Sequence, residues 1–386
     1  MKSFTFLLHN LYHIGGTTRA VTTLANTLSE RGHDVTILTV FKLGTTPAYP
    51  VNETINIQSI IDYSDKRNFV PLVYNRIRKY TPLCKPRIIM AEEPGIQQFS
   101  SYIEHKLIQA IQQVNTDYLV STRASYNVLA SEYANVETIA MEHMHFNAYS
   151  ESVKQQLLKA YAHVDYVTTL TPQDQTQYKQ YLPEDKVLLL PNIIPFDAHQ
   201  ATQRKQHKTN RITALGRFEH EKGFDLLIAA VSHIQHKLRD QQYTVHIYGS
   251  GSEKSNLQQQ ITNQQLSDMI TLHDAINDTE SVLNPSRITV IPSRSEGFGM
   301  VILEAMAANN AVVSFDAPIG PATLLTHGQN ALVASCFDTE SLANHIITAI
   351  EDASLREQLI AHGHETLKQY QPDAVYNKLA KQLPLT

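Results

Sequence analysis

The chain has 386 residues, a formal net charge of −5, 42% hydrophobic and 18% charged residues, which makes it too long for one ordinary core, too apolar for disorder and, as a whole, too acidic for a nucleic-acid binder. Its two cysteines, Cys84 and Cys336, fit no zinc or redox spacing and point to a reducing compartment. No apolar run approaches the roughly 18 residues of a membrane helix, and His9 and Asn10 interrupt the opening Ser3–Leu8 stretch before it reaches signal-peptide length, so a cytoplasmic protein is expected.

Residues 3–10 read as a buried strand, a Gly15-Gly16 loop follows, a helix runs from Thr17 to about Arg31, and a second strand covers 34–40. Strand, glycine turn, helix and strand within about forty residues begin a parallel α/β sheet. Further strands are expected at 117–122, 137–142, 165–170 and 187–190, with helices at 101–114 and 151–162. The pattern stops at 191–210, where two prolines precede a polar stretch, and a linker is expected. It restarts with strand 211–216, helix 223–238, strand 243–249, helix 252–265, strands 270–273 and 288–292, helix 299–308 and strand 311–315. Helices at 338–351, 354–369 and 373–382 close the chain. Two successive α/β sheets place ligands beyond the carboxyl ends of their strands.

The first candidate for chemistry is Leu215-Gly216-Arg217-Phe218, followed by Lys222-Gly223. A strand delivers Arg217 at its carboxyl end and Lys222 enters the next helix. A chelating guanidinium and a point-charge ammonium at one spot suit a diphosphate; two ordinary cations on a solvated loop are the plain alternative. The second candidate is residues 293–307, SRSEGFGMVILEAMA. A helix beginning near Phe298 would aim the N–H groups of Phe298, Gly299, Met300 and Val301 at an anion. Glu296 and Glu304, eight residues apart, would stand about 12 Å from each other along a helix. That is too far for the roughly 5–9.5 Å of a glycosidase pair and suits two anchors on an elongated ligand; a helix cap plus one exposed glutamate is the alternative. Tyr248-Gly249-Ser250-Gly251 is half a dinucleotide fingerprint, with Lys254 where the third glycine would stand, so a nicotinamide-dependent oxidoreductase is disfavoured.

Together, LGRFEHEKGF and SRSEGFGMVILEAMA resemble the retaining glycosyltransferases of family 4, which have the GT-B fold. The likeness continues in HNLYHIGGTTRAV, LLLPNII, HIYGSG and FDAPIGPATLLTHGQNALV, and is thinnest over 42–115. It implies an α/β protein of two Rossmann-like domains facing each other across a cleft. Residues 1–195 would bind the acceptor, 196–210 would link, 211–369 would bind the donor, and 370–386 would cross back to the first domain. By that resemblance Arg217 and Lys222 bind the donor diphosphate, Glu304 the ribose hydroxyls, and Glu296 the donor sugar near its reacting face. The backbone from Phe298 through Gly299 and Met300 to Val301 holds phosphate and sugar. Gly15 and Gly16 face the donor phosphate from the first domain, unless they form a plain tight turn. His143 would bond the donor 6-hydroxyl, with His145 as its rival and a packing histidine as the alternative for either. The chain has no Asp-x-Asp, so no metal and no cofactor are expected, and Arg217 with Lys222 would supply the positive charge.

The resemblance implies transfer, with retention, from a UDP-linked hexose or N-acetylhexosamine to a cell-surface glycan, teichoic acid or lipid-linked saccharide. A catalytically silent partner subunit, a sugar-nucleotide epimerase and a phosphorylase are the alternatives on this fold. One feature stands apart. Between Asp65 and Ile88 lie Lys66, Arg67, Arg76, Arg78, Lys79, Lys85 and Arg87, seven bases against one acid, interleaved with apolar and aromatic residues. Residues 66–87 suit an anionic membrane surface at the inner face or a polyanionic acceptor, against a solvated helix of mixed faces; no nucleic-acid motif accompanies them.

Overall fold

The computed structural model describes residues 1–64, 70–78, 80–93, 95–194 and 208–385. The chain divides into two compact units, Met1–Ile193 with Val375–Thr386, and Ile194–Ala374. Of the linker expected over 196–210, residues up to 207 lie outside the described residues.

The first unit is built on β1 (Ser3–Leu8), β2 (Asp34–Lys42), β3 (Asn56–Asp62), β4 (Tyr118–Ser121), β5 (Glu137–Met141), β6 (Tyr166–Thr169) and β7 (Val187–Leu189). They form one parallel sheet in the order β3-β2-β1-β4-β5-β6-β7. β1 is an interior strand, buried from Phe4 to Leu8, which is why apolar residues occupy both of its faces with Ser3 and Thr5 as its polar members. The helix Gly16–Glu30 buries Val21, Leu24, Ala25 and Leu28 against the sheet, a spacing of three and four that keeps them on one face. Val375, Leu379, Leu383 and Leu385 join this core beside Phe4, Leu24 and Leu188. The Gln382 side chain accepts from Leu189 N at 2.9 Å and donates to Leu189 O at 3.1 Å, so it closes the backbone of edge strand β7. His33 Nε2 and Tyr376 Oη, 2.9 Å apart, tie the same segment to the loop before β2.

Strand β3 was not among the expected elements. It is an edge strand paired only to β2, from Thr36↔Asn56 to Lys42↔Asp62, and its first four residues are exposed. It therefore lacks the apolar run that marks the interior strands. The helices Ala124–Tyr133 and Pro172–Lys179 were also unexpected. The former buries Ser125, Tyr126 and Asn127 along with its apolar residues, which blurs the period.

The second unit carries β8 (Arg211–Leu215), β9 (Thr244–Tyr248), β10 (Ile270–His273), β11 (Ile288–Ile291), β12 (Ala311–Phe315) and β13 (Leu332–Ala334), parallel in the order β10-β9-β8-β11-β12-β13. Helices Phe224–Asp240 and Thr339–Glu351 cover one side, with Leu227, Val231, Leu342 and Ile346 in a core around Ile212, Val245 and Val313. In each sheet the order reverses once, between β1 and β4 and between β8 and β11. Crevices at such reversals are where open parallel sheets take ligands.

Candidate functional site

The two motifs of the second unit meet at its reversal. Arg217 follows β8, and Ser293 to Glu296 follow β11. Gly223 is the point where the two loops touch. Its φ is +65°, and a Cβ there would lie 1.9 Å from the carbonyl oxygen of Pro292, so only glycine lets them close. That closeness brings Lys222 Nζ to 2.6 Å from Glu296 Oε2, with both side chains 18% exposed. Ser293 Oγ lies 3.3 Å from the same oxygen. Arg217 is arranged differently from the paired cations expected. Its guanidinium is 70% exposed and is turned onto Glu221, one helical turn along. Each cation of the motif thus faces its own carboxylate.

Two further residues hold the loops. Arg294 donates to both carboxylate oxygens of Asp225 at 2.7 Å and to the carbonyl of His220 at 2.8 Å. Burial works against the Asp225 carboxylate, but the Arg294 guanidinium overcomes this and keeps its pKa below the ordinary value. Arg294 stands inside the quoted motif and Asp225 two residues after Gly223, yet nothing local in the sequence pairs them. The glycines of Tyr248–Gly251 serve the same loop: a Cβ on Gly249 would lie 1.9 Å from the Gly216 carbonyl oxygen, and Phe218 N donates to Ser250 O at 2.8 Å.

The helix expected from Phe298 starts at Met300 and ends at Ala307, capped by Gly299 in the left-handed conformation at φ 86°. Phe298 is a packing residue, 4% exposed, its ring edge-on to Tyr370 with centroids 5.7 Å apart. Ile302 N already bonds Gly299 O at 2.9 Å, so the outward N–H groups of the first turn are those of Met300 and Val301. The helical spacing expected between Glu296 and Glu304 does not hold. Glu296 is extended and bridges Ile319, while Glu304 is the fifth residue of the helix, about 6 Å of rise from Met300, and is buried. Ile319 has φ 78° and ψ −80°, a strained conformation for a β-branched residue. It is held by the bridge to Glu296 and by Gly320 N donating to Glu296 O at 2.9 Å. Strain of this kind is stored where surrounding structure over-determines it.

Gly15, Gly16 and His143 belong to the first unit. Gly15 is extended, at φ −178°, and caps the helix Gly16–Glu30. A Cβ on Gly16 would meet nothing within 4 Å. Neither residue is glycine because the turn demands it. His143 follows β5, and burial pushes its pKa down to about 4. Its Nε2 is shut from solvent without a hydrogen-bond partner among the described residues. The imidazole is therefore neutral at pH 7. Burial lowers His145 as well, and its Nδ1 is similarly enclosed. Glu142 points away from both: it accepts from Tyr149 Oη at 2.7 Å, Asn127 Nδ2 at 3.3 Å and Tyr161 Oη, and burial pushes its pKa up to about 7. Among the described residues no group of three or more His, Cys, Asp or Glu could hold a metal ion.

The β1/β4 reversal carries a cluster that sequence reasoning missed. Arg123, after β4, donates to Glu93 at 2.5 Å and to His9 Nδ1 at 3.0 Å. Tyr126 Oη lies 2.7 Å from the same nitrogen, and His9 Nε2 lies 3.1 Å from Gln98 Oε1. A guanidinium only donates, so Nδ1 accepts and Nε2 carries the proton. Burial, then the Arg123 charge, hold His9 neutral, with its pKa pushed down to about 3. These residues come from three remote stretches of sequence, and no spacing links them.

Comparison with known proteins assigns both halves of the chain. Residues 195–366 match the family model of glycosyl transferases group 1, and residues 14–198 that of glycosyltransferase family 4. An uncharacterized glycosyltransferase of Haemophilus influenzae is 25% identical over 93% of this chain and 93% of its own length. The amylovoran biosynthesis glycosyltransferase AmsD of Erwinia amylovora is 23% identical over 98% of each. Among solved structures, a mutant of S. aureus TarM in complex with Fondaparinux, alpha-GlcNAc-glycerol and UDP superposes with a TM-score of 0.78, covering 99% of each chain at 13% identity. At that identity the likeness is one of fold.

Proposed function

The chain is a GT-B glycosyltransferase, and we propose that it transfers a hexosyl or N-acetylhexosaminyl group, with retention and without a metal, from a UDP-sugar to a bacterial cell-surface glycan, teichoic acid or lipid-linked saccharide. One observation carries this reading: Lys222 and Glu296, distant in sequence, form a half-buried pair at the strand-order reversal of the second unit, next to the helix opening at Met300. The UDP complex of the S. aureus protein and the role of the Erwinia relative in amylovoran biosynthesis support the donor and the acceptor class.

In this reading the donor diphosphate approaches Arg217, Lys222 and the N–H groups of Met300 and Val301, where charge develops as the bond from the anomeric carbon to the phosphate oxygen breaks. Lys222, between Glu296 and the phosphate, joins sugar recognition to leaving-group stabilisation. The Glu296 carboxylate accepts from donor sugar hydroxyls and stabilises the electron-poor anomeric carbon. Buried Glu304 holds the ribose. The acceptor oxygen attacks the face that the phosphate leaves, and a phosphate oxygen takes its proton. His143, neutral, accepts from or donates to a sugar hydroxyl and carries no charge to the site. Gly15 and the open space at Gly16 suit a phosphate, and the first unit takes the acceptor beside His9 and Arg123. In this reading the reaction is cytoplasmic, where the nucleotide-sugar donor would be met.

Slow donor hydrolysis across UDP-, GDP- and ADP-sugars, with and without EDTA, tests the proposal. Hydrolysis of a UDP-sugar that EDTA leaves unchanged and Arg217→Ala abolishes is expected. No binding of any of the three nucleotides would replace this reading with that of a silent partner subunit.

A further inference from the structure

The basic segment is described from Val70 onward except for Lys79; Lys66 and Arg67 lie outside the described residues. Its helix, Val70–Ile77, is inside out. A surface helix ordinarily buries its apolar stripe and shows its polar face to water. Here Asn75, and Arg78 just past the helix end, face the protein, while Arg76 stays exposed. Asn75 Nδ2 donates to the Gln98 carbonyl at 2.9 Å, and the Arg78 guanidinium donates to the carbonyls of Ile96 and Phe99 at 3.0 Å. Leu72, Val73 and Ile77 face out, whereas Pro71 is buried and the Tyr74 ring lies 5.2 Å from that of Tyr102. Among the described residues, six of the thirteen exposed large hydrophobic side chains fall within twelve positions: Leu72, Val73, Tyr74, Ile77, Tyr80 and Leu83. Leu72 is 56% exposed, and Tyr80 and Leu83 are 85% and 80% exposed. Soluble proteins rarely gather such a patch without a use for it.

Charge accompanies the patch. Residues 70–90 hold five bases and no acid. Arg76, Lys85 and Arg87 are exposed, and none forms a salt bridge with a described residue. The buried carboxylate nearest in sequence, Glu104, accepts instead from the backbone N–H groups of Arg87, Ile88 and Ile89, which pins this stretch to the unit and leaves the Arg87 guanidinium outside.

We infer that the face formed by Leu72, Ile77, Tyr80 and Leu83 with Arg76, Lys85 and Arg87 docks the protein on an anionic lipid bilayer. Apolar side chains beside cations match the boundary between acyl chains and acidic headgroups. A second copy of the chain fits less well, because a two-fold contact through this face would oppose the same uncompensated cations. A purely polyanionic saccharide would leave the leucines and the isoleucine in water. The inference extends the reading of a lipid-linked acceptor, but vesicle binding is measured without substrate, so its failure would leave donor hydrolysis standing and the converse also holds.

The chain has no tryptophan, so Tyr80→Trp places a single fluorophore in the face. A blue shift on vesicles of phosphatidylcholine mixed with phosphatidylglycerol, and none on phosphatidylcholine alone, is expected. In co-sedimentation with the mixed vesicles, Arg76→Glu with Arg87→Glu should weaken binding by at least the roughly fivefold that each basic residue supplies. Leu72→Ser with Leu83→Ser should weaken it at every salt concentration. Absence of the shift together with no co-sedimentation would overturn the proposal. So would binding that the leucine variants keep in full, which would mark a polyanion site, or a dimer in sedimentation that the same variants dissolve, which would mark a self-contact. Thermal melts matching wild type keep the variants interpretable, since all four side chains are exposed.

Discussion

The two strand-order reversals share a topology and differ in chemistry. At β8/β11 a lysine and a glutamate form a half-buried pair and the Arg217 guanidinium stays 70% exposed, beside a helix whose first N–H groups point outward. At β1/β4 the charges are absorbed: Arg123 is committed to Glu93 and to a histidine that burial holds neutral. A parallel sheet thus decides where a ligand can sit, and the side chains that the loops deliver decide what it can be. The β8/β11 reversal leaves a cation at the surface, as the proposed diphosphate role requires, and the β1/β4 reversal encloses its ion pair beside a neutral histidine, in keeping with the proposed hydroxyl-rich acceptor.

The largest expected effect breaks that comparison at its charged end. Lys222→Ala should lower turnover by about 100- to 1,000-fold, the cost of losing one group aimed at developing charge, and Glu296→Gln should fall in the same range. Near-normal rates in both would show that the pair is only a loop fastener. At the other end, Arg123→Ala should raise the acceptor KM by roughly 10- to 100-fold, equivalent to one charge-assisted hydrogen bond of about 1.5–3 kcal/mol, while donor hydrolysis without acceptor stays near wild type. Loss of both activities together would assign Arg123 to the stability of the sheet instead.

A third prediction concerns the loop after β5, where two neighbours titrate in opposite directions. Burial raises the Glu142 pKa from 4.5 to about 7, so between those values the native state holds more protons than the unfolded one and stability falls as pH rises. Burial lowers the His143 pKa from 6.5 to about 4, so across that window the native state holds fewer protons and stability rises with pH. Urea unfolding from pH 4 to 8 should show a steeper rise with pH in Glu142→Gln than in wild type and a shallower one in His143→Asn, because His9, also buried neutral, adds the same rise to all three. Identical profiles in all three would refute the assignment. The smallest effect is at Gly16: with open space at its Cβ position, Gly16→Ala should gain at most about 1 kcal/mol of stability and still slow turnover several-fold. An unchanged rate would refute the phosphate role proposed for Gly16.

Much of this was legible locally. The apolar run of β1, the period of Gly16–Glu30 and the Gly-capped entries to Phe224–Asp240 and Met300–Ala307 follow from side-chain period and backbone freedom within a few residues. Pro172–Lys179 carried a legible start as well, since Thr171 accepts from Asp174 N at 3.1 Å ahead of Pro172, but its polar surface gave no period. Edge strand β3 escaped because exposure removes the alternation that marks a strand.

The sequence by itself determined the two parallel α/β sheets and marked Arg217, Lys222, Glu296 and Glu304 as candidates for chemistry, because strand burial and glycine-cation motifs are short-range properties. Only the tertiary structure decided that Lys222 meets Glu296 while Arg217 turns to Glu221, and that Arg294 fastens the loop through Asp225. It alone decided that His9, Glu93 and Arg123 converge, and that the helix Val70–Ile77 shows water its apolar side. Each of these depends on which distant segments the sheet order brings together, and a pairing across tens of residues leaves no periodic trace in either partner.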